Sequence, residues 1–170
     1  KPYDIQESVN YAQKLYQNNE IDMENEEKLA IMIVFNFDLT MNGTHPRFGS
    51  LVCAINKIYQ NIALYTPIDI YVWFNNKSIS LIPKWFIETF PNLRIMPIDN
   101  RSWQLHENEY SSFSQWTYGS SFSLNYHLMG HWRLTFAFDF VYHMKYQYML
   151  QIDDDTFITD NINYNIIHRF

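Results

Sequence analysis

The sequence predicts an α/β chain with a mostly parallel sheet flanked by helices, and three observations lead there. Segments with the character of strands recur: the apolar runs Leu29–Phe35 and Tyr148–Ile152, the alternating Ile68–Phe74, and a short strand beginning at Leu93–Met96. Helical periods fall between them, and strands that alternate with helices are the pattern of βαβ units with parallel pairing. Leu29–Phe35 is apolar throughout, and Met149, Leu150 and Ile152 likewise suit a strand covered on both faces rather than one.

Taken in order, residues 1–19 place Val9, Ala12, Leu15 and Tyr16 at helical spacing and predict a surface helix. The acidic stretch Glu20–Glu27 reads as a solvated linker, so residues 1–28 precede a domain of residues 29–170. The run Leu29–Phe35 is the first strand, and residues 36–46 supply the Asn, Asp, Gly and Pro of a loop. Leu51, Val52, Ile55 and Ile58 follow a helical period over 48–64, with Pro67 opposing continuation. Ile68–Phe74 alternates and is rich in β-branched and aromatic residues, as a second strand should be. A helix is expected over Ile82–Phe90 with Pro83 in its first turn, then a short third strand from Leu93. Asp99–Ser121 has no clear period and predicts a long loop. Leu128, Trp132, Phe136, Phe140 and Met144 recur every fourth residue, which predicts one helix over Ser123–Met144 leading into the strand Tyr148–Ile152.

With 170 residues the chain is long enough for one domain with a sizeable core. Hydrophobic residues make up 47% and aromatics 18%, which excludes a disordered chain and predicts a core rich in rings. A formal net charge of −6 argues against nucleic acid as a partner, because phosphate binding needs a Lys/Arg surface. Cys53 stands alone, so no intrachain disulfide forms, and its apolar neighbours predict an inert packed thiol. No apolar run approaches the ~20 residues of a membrane-crossing helix, and no signal-peptide pattern opens the chain. Lys1 in place of a methionine reads as trimming, with any membrane anchor lying outside these residues.

The chemistry concentrates at Asp153, Asp154 and Asp155, which follow the apolar strand directly. In an open α/β sheet the ligand crevice lies outside the carboxyl ends of the strands, so these carboxylates are expected in it. Two like charges ~4 Å apart repel by about 4 kcal/mol at an effective dielectric of ~20, so the cluster calls for a cation, a proton or open solvent. Mg²⁺ or Mn²⁺ is held by one or two carboxylates while keeping waters and binding substrate phosphates, and Asp153 and Asp155 supply that donor set. Three aspartates can also form a solvated turn or a helix N-cap. An EF-hand is excluded: counting from Asp153, Ile158 stands where Gly is needed and Tyr164 where the bidentate Glu belongs. His127 and His131 have the spacing of zinc ligands but lack the adjacent Glu of a metalloprotease, so a structural role is expected. Trp132, Phe136 and Phe140 read as core.

The stretch Tyr148–Thr159, YMLQIDDDTFIT, resembles the acidic motif of fringe-like and β-1,3-galactosyltransferases, where a strand, three Asp, Thr and an aromatic follow in that order. More broadly Asp153-x-Asp155 is similar to the Asp-x-Asp signature of GT-A-fold glycosyltransferases. Two further segments resemble the fungal α-1,2-mannosyltransferases: Phe35-Asn36-Phe37-Asp38-Leu39 their Arg-Asn-x-Asp-Leu loop, and His127–Trp132 their His-Met-x-Arg-Phe helix. Phe35, His131 and Gln151 stand where that family has arginine, and Asp153 and Asp154 where it has Glu-Pro.

The resemblance implies a Rossmann-like GT-A nucleotide-diphospho-sugar-binding fold whose C-terminal acceptor half lies beyond Phe170. It implies metal-dependent transfer of a sugar from a GDP- or UDP-sugar donor to a glycan or glycoprotein acceptor, in the Golgi lumen of the secretory pathway, by a trimmed type II membrane protein. On it, Asp155 is the direct metal ligand, Asp153 touches metal or ribose, Asp154 touches sugar or ribose, and the Mn²⁺ or Mg²⁺ holds the diphosphate. Phe35, Asn36 and Asp38 would take base and ribose, and Arg133 a phosphate. Two other classes fit less of the sequence. A phosphatase with an Asp nucleophile expects Thr two residues beyond the second Asp, where Phe157 stands. A binding module that keeps the acids without transfer activity is the third.

Overall fold

A computed structural model describes residues 3–17, 27–35, 46–75, 79–80, 82–103 and 124–169. The seven apolar residues Leu29–Phe35 form β1, and every one is buried. Helix α1 (Ile5–Gln17) precedes it, and α2 (Pro46–Asn61), β2 (Ile68–Asn75), α3 (Lys84–Thr89) and β3 (Leu93–Ile98) follow. A 3₁₀ turn at Asn100–Trp103 comes next, then α4 (Leu124–Leu134), α5 (Phe136–His143) and β4 (Tyr148–Ile152). The four strands lie in the order β3-β2-β1-β4. All three pairings are parallel, with Leu29 opposite Ile68 and Tyr148, and Ile70 opposite Leu93.

Alternation along each strand divides the core into two layers. Leu29, Ile31, Ile33 and Phe35 of β1 pack with Ile70, Val72 and Phe74 of β2 beneath Leu51, Ile55 and Ile58 of α2 and Phe86 of α3. Ala30, Met32 and Val34 face the other way, with Tyr71 and Trp73, toward Val9 and Ala12 of α1 and the rings of Trp132, Phe136 and Phe140. Those three rings are fully buried and sit on one continuous face, as their four-residue spacing predicts. Helix α1 lies against β3 and α5. Tyr3 ahead of it donates to Asp139 Oδ2 at 2.7 Å.

Three expectations are corrected. The single helix Ser123–Met144 is two helices that meet at Thr135, whose φ of −122° and ψ of −75° leave the helical region. Its hydroxyl donates to the His131 carbonyl at 2.8 Å, the local side-chain bond by which Thr bends a helix. Strand β4 is not covered on both faces: Tyr148 to Gln151 are half-buried and only Ile152 is buried. Among the described residues β4 pairs on one side alone, with β1. Cys53 is exposed rather than packed, because the buried stripe of α2 runs through Leu51, Ala54, Ile55 and Ile58.

A Schellman motif turns the chain from α5 into β4. Lys145 N–H donates to the Tyr142 carbonyl at 3.0 Å and Tyr146 N–H to the Val141 carbonyl at 3.1 Å, with Lys145 left-handed at a φ of 63°. Val141 and Tyr146 lie in the same buried cluster, which supplies the apolar contact that usually accompanies this motif.

Candidate functional site

The chain steps outward from β1 to β2 to β3, then returns across the opposite face through α4 and α5 to set β4 on the other side of β1. Strand order therefore reverses between β1 and β4, and a crevice opens outside the carboxyl ends of strands at such a point. Asp153, Asp154 and Asp155 leave β4 at that end. Thr156 N–H donates to the Asp153 carbonyl at 3.1 Å and closes a tight turn with Asp154 and Asp155 at its centre. Beyond it the chain folds back along the α2 layer. Asn61 Nδ2 donates to the Ile158 carbonyl at 2.5 Å, Ile162 N–H to the Asn61 carbonyl at 2.8 Å, and Ile166 N–H to Thr66 Oγ1 at 3.0 Å. The acid turn is thus anchored on both sides, by β4 and by this strap.

The three carboxylates are held by arginines from two sides. Arg133, in the last turn of α4, donates from Nη2 to Asp153 Oδ1 at 2.5 Å, and Gln151 of β4 steadies that turn by donating to the Arg133 carbonyl at 2.9 Å. On the opposite face Arg47, in the first turn of α2, donates from Nη2 to Asp154 Oδ1 and comes within 3.9 Å of Asp155 Oδ2. The Asp154 side chain is 8% exposed, while those of Asp153 and Asp155 are 54% and 60% exposed. Burial pushes the Asp154 carboxyl above its ordinary pKa, and the Arg47 charge pulls it back without cancelling the shift. The repulsion expected within the trio is met here by two guanidinium groups and by solvent.

Arg47 is the residue at the acid turn that sequence reasoning missed. It stands 107 positions from Asp154, and its one signal is its place beside Pro46 at the start of the helix after β1, at the carboxyl end of the sheet. Phe35 ends β1 but is fully buried, its ring 6.2 Å from Phe48 and 5.4 Å from Phe74, so its side chain serves the core. Asn36 and Asp38 lie outside the described residues, as does most of the predicted loop 99–121.

The donor chemistry suits a hard divalent cation. Asp153 and Asp155 present exposed oxygens, and Mg²⁺ or Mn²⁺ needs only one or two carboxylates when waters and phosphates complete its shell. Among the described residues no three His, Cys, Asp or Glu side chains gather into a full cage, and His127 and His131 acquire no third ligand.

No family model and no curated protein matches the sequence. The fold is similar to the X-ray structure of the mannosyltransferase Ktr4p from S. cerevisiae, with a TM-score of 0.55 and 14% identity. The match covers 98% of this chain and 46% of that one, so the chain spans about half the length of its structural neighbour. At that identity the likeness is one of architecture: the chain has a Rossmann-like α/β fold, a parallel four-stranded sheet between helices.

Proposed function

We propose that this chain is the nucleotide-sugar-binding part of a metal-dependent glycosyltransferase. One observation carries the reading. Three aspartates leave a strand at the point where strand order reverses, in a fold shared with a mannosyltransferase. A divalent cation bound there would neutralise charge on a leaving nucleoside diphosphate as a Lewis acid and template.

The chain's own residues do the rest. Asp155 and Asp153 would hold the ion through exposed carboxylates that already face solvent. Asp154 is buried under Arg47 and keeps the turn in shape, and its role toward sugar or ribose is through that placement. Arg133 presents a planar donor fork beside Asp153, suited to a phosphate oxygen. The loop after Phe35, with Asn36 and Asp38, would take the base and ribose. A glycan or glycoprotein is the acceptor class that goes with this reading. A secretory-pathway lumen is the compartment proposed with that activity; among the described residues no helix is long and apolar enough to cross a membrane.

Calorimetry with UDP and with GDP, each with and without Mn²⁺, tests the reading. Mn²⁺ is expected to strengthen binding of one nucleotide at least tenfold, a difference of about 1.4 kcal/mol, and Asp155→Ala to erase that gain. Equal weak heats in all four titrations would defeat the proposal.

A further inference from the structure

Arg47 and Arg133 both face the acid turn, but their attachments differ. Arg133 hydrogen-bonds Asp153 directly, and Gln151 fixes its main chain. Arg47 is 57% exposed, holds the buried Asp154 with one nitrogen, and approaches Asp155 only to 3.9 Å, an ion-pair distance too long for a hydrogen bond. A guanidinium carries five N–H donors in a fixed fork, so most of its capacity remains after the bond to Asp154. Its charge therefore stands beside the carboxylate on which the proposed function depends, with donors to spare and solvent access.

We infer that Arg47 is a positioning residue that couples the divalent cation to the diphosphate: it opposes the cation alone and favours the cation and diphosphate together. The inference rests on the reading of the site as one for those two ligands. A divalent ion at Asp155 meets the positive charge of Arg47 at short range, so metal binding by itself is weakened. A diphosphate reverses the sign of that interaction, because it brings negative charge and acceptor oxygens within reach of the unused N–H groups. Arg47 need not release Asp154 to do so. By linkage, whatever the nucleotide gains from bound metal the metal gains equally from bound nucleotide.

The two affinities should then move in opposite directions when the charge is removed. Mn²⁺ alone, followed by the electron paramagnetic resonance of free ion, is expected to bind Arg47→Met roughly 5- to 10-fold more tightly than the wild type. UDP or GDP at saturating Mn²⁺, followed by calorimetry, is expected to bind Arg47→Met roughly tenfold more weakly. Arg47→Lys keeps the charge without the fork and should resemble wild type toward Mn²⁺ alone while losing part of the nucleotide affinity. It also covers the case in which Arg47→Met, which leaves Asp154 unpaired, does not fold. A purely structural Arg47 would weaken both affinities together or alter neither, and either result overturns the inference while leaving the proposed site intact. Failure of wild type to bind any nucleotide with Mn²⁺ removes the site itself, and the inference with it.

Discussion

Two buried carboxylates are handled differently in this chain. Asp154 lies at the carboxyl end of the sheet under an exposed arginine, and its raised pKa marks a charge that burial disfavours even with a partner present. Asp69 lies at the far end of the sheet at 1% exposure, where Tyr146 donates its hydroxyl to Oδ2 at 2.7 Å and Lys28 stands 3.6 Å away. The Tyr71 hydroxyl meets that of Tyr146 at 2.8 Å, which extends the network into the sheet. A buried acceptor stripped of its donor costs the desolvation of that group, so Tyr146→Phe is expected to lower stability by about 1–3 kcal/mol. Urea unfolding measures it, and an unchanged midpoint with unchanged slope would show that the network contributes nothing net.

The elements owe their placement to their ends. Helix α5 stops where Lys145 takes the left-handed conformation, and that turn sets the start of β4 and hence the position of Asp153 five residues after Tyr148. A side chain with a Cβ is strained there and glycine is not. Lys145→Gly is therefore expected to raise stability by about 0.5–1 kcal/mol, after the entropy that glycine adds to the unfolded chain is subtracted. Thermal or urea unfolding reads this directly, and a loss of stability would mean that the lysine side chain contributes more than its backbone strain costs. The break at Thr135 acts on the other helix. The stacked rings run on across it, Trp132 to Phe136 at 5.2 Å and Phe136 to Phe140 at 6.5 Å, so the buried face is kept while the main chain bends.

For the molecule as a whole, a ligand that binds only the folded state stabilises it by mass action. At ~100 times its Kd, a nucleotide with Mn²⁺ adds about 2.7 kcal/mol, which for a domain of this size is roughly 5–10 °C in Tm. A thermal-shift screen of nucleotide sugars with and without Mn²⁺ should find one donor class with a shift of that size that disappears on chelation. A screen in which no nucleotide moves the transition would count against a nucleotide site anywhere in the chain. The architecture favours a local response, since the acid turn is tied by arginines to a helix on each face of the sheet.

What the sequence determined by itself was whatever burial writes into consecutive residues. Leu29–Phe35 and Tyr148–Ile152 form strands at the bounds their apolar runs predict, and Leu29–Phe35 is apolar throughout because a strand between two helical layers needs apolar side chains in both directions. The acids begin where the apolar run of β4 stops, which makes their place at a strand's carboxyl end equally legible. The break at Thr135 was less legible, because side-chain periodicity reports the buried face and not the continuity of the main chain. The exposure of Cys53 and the half-covered β4 depended on which neighbours the fold supplies. Only the tertiary structure decided that Arg47 and Arg133 hold the aspartates from opposite faces, 107 and 20 positions away in the chain. An ion pair closed by long-range folding leaves no period, run or spacing in the sequence, since its energy depends on where two side chains meet and not on what stands beside either one.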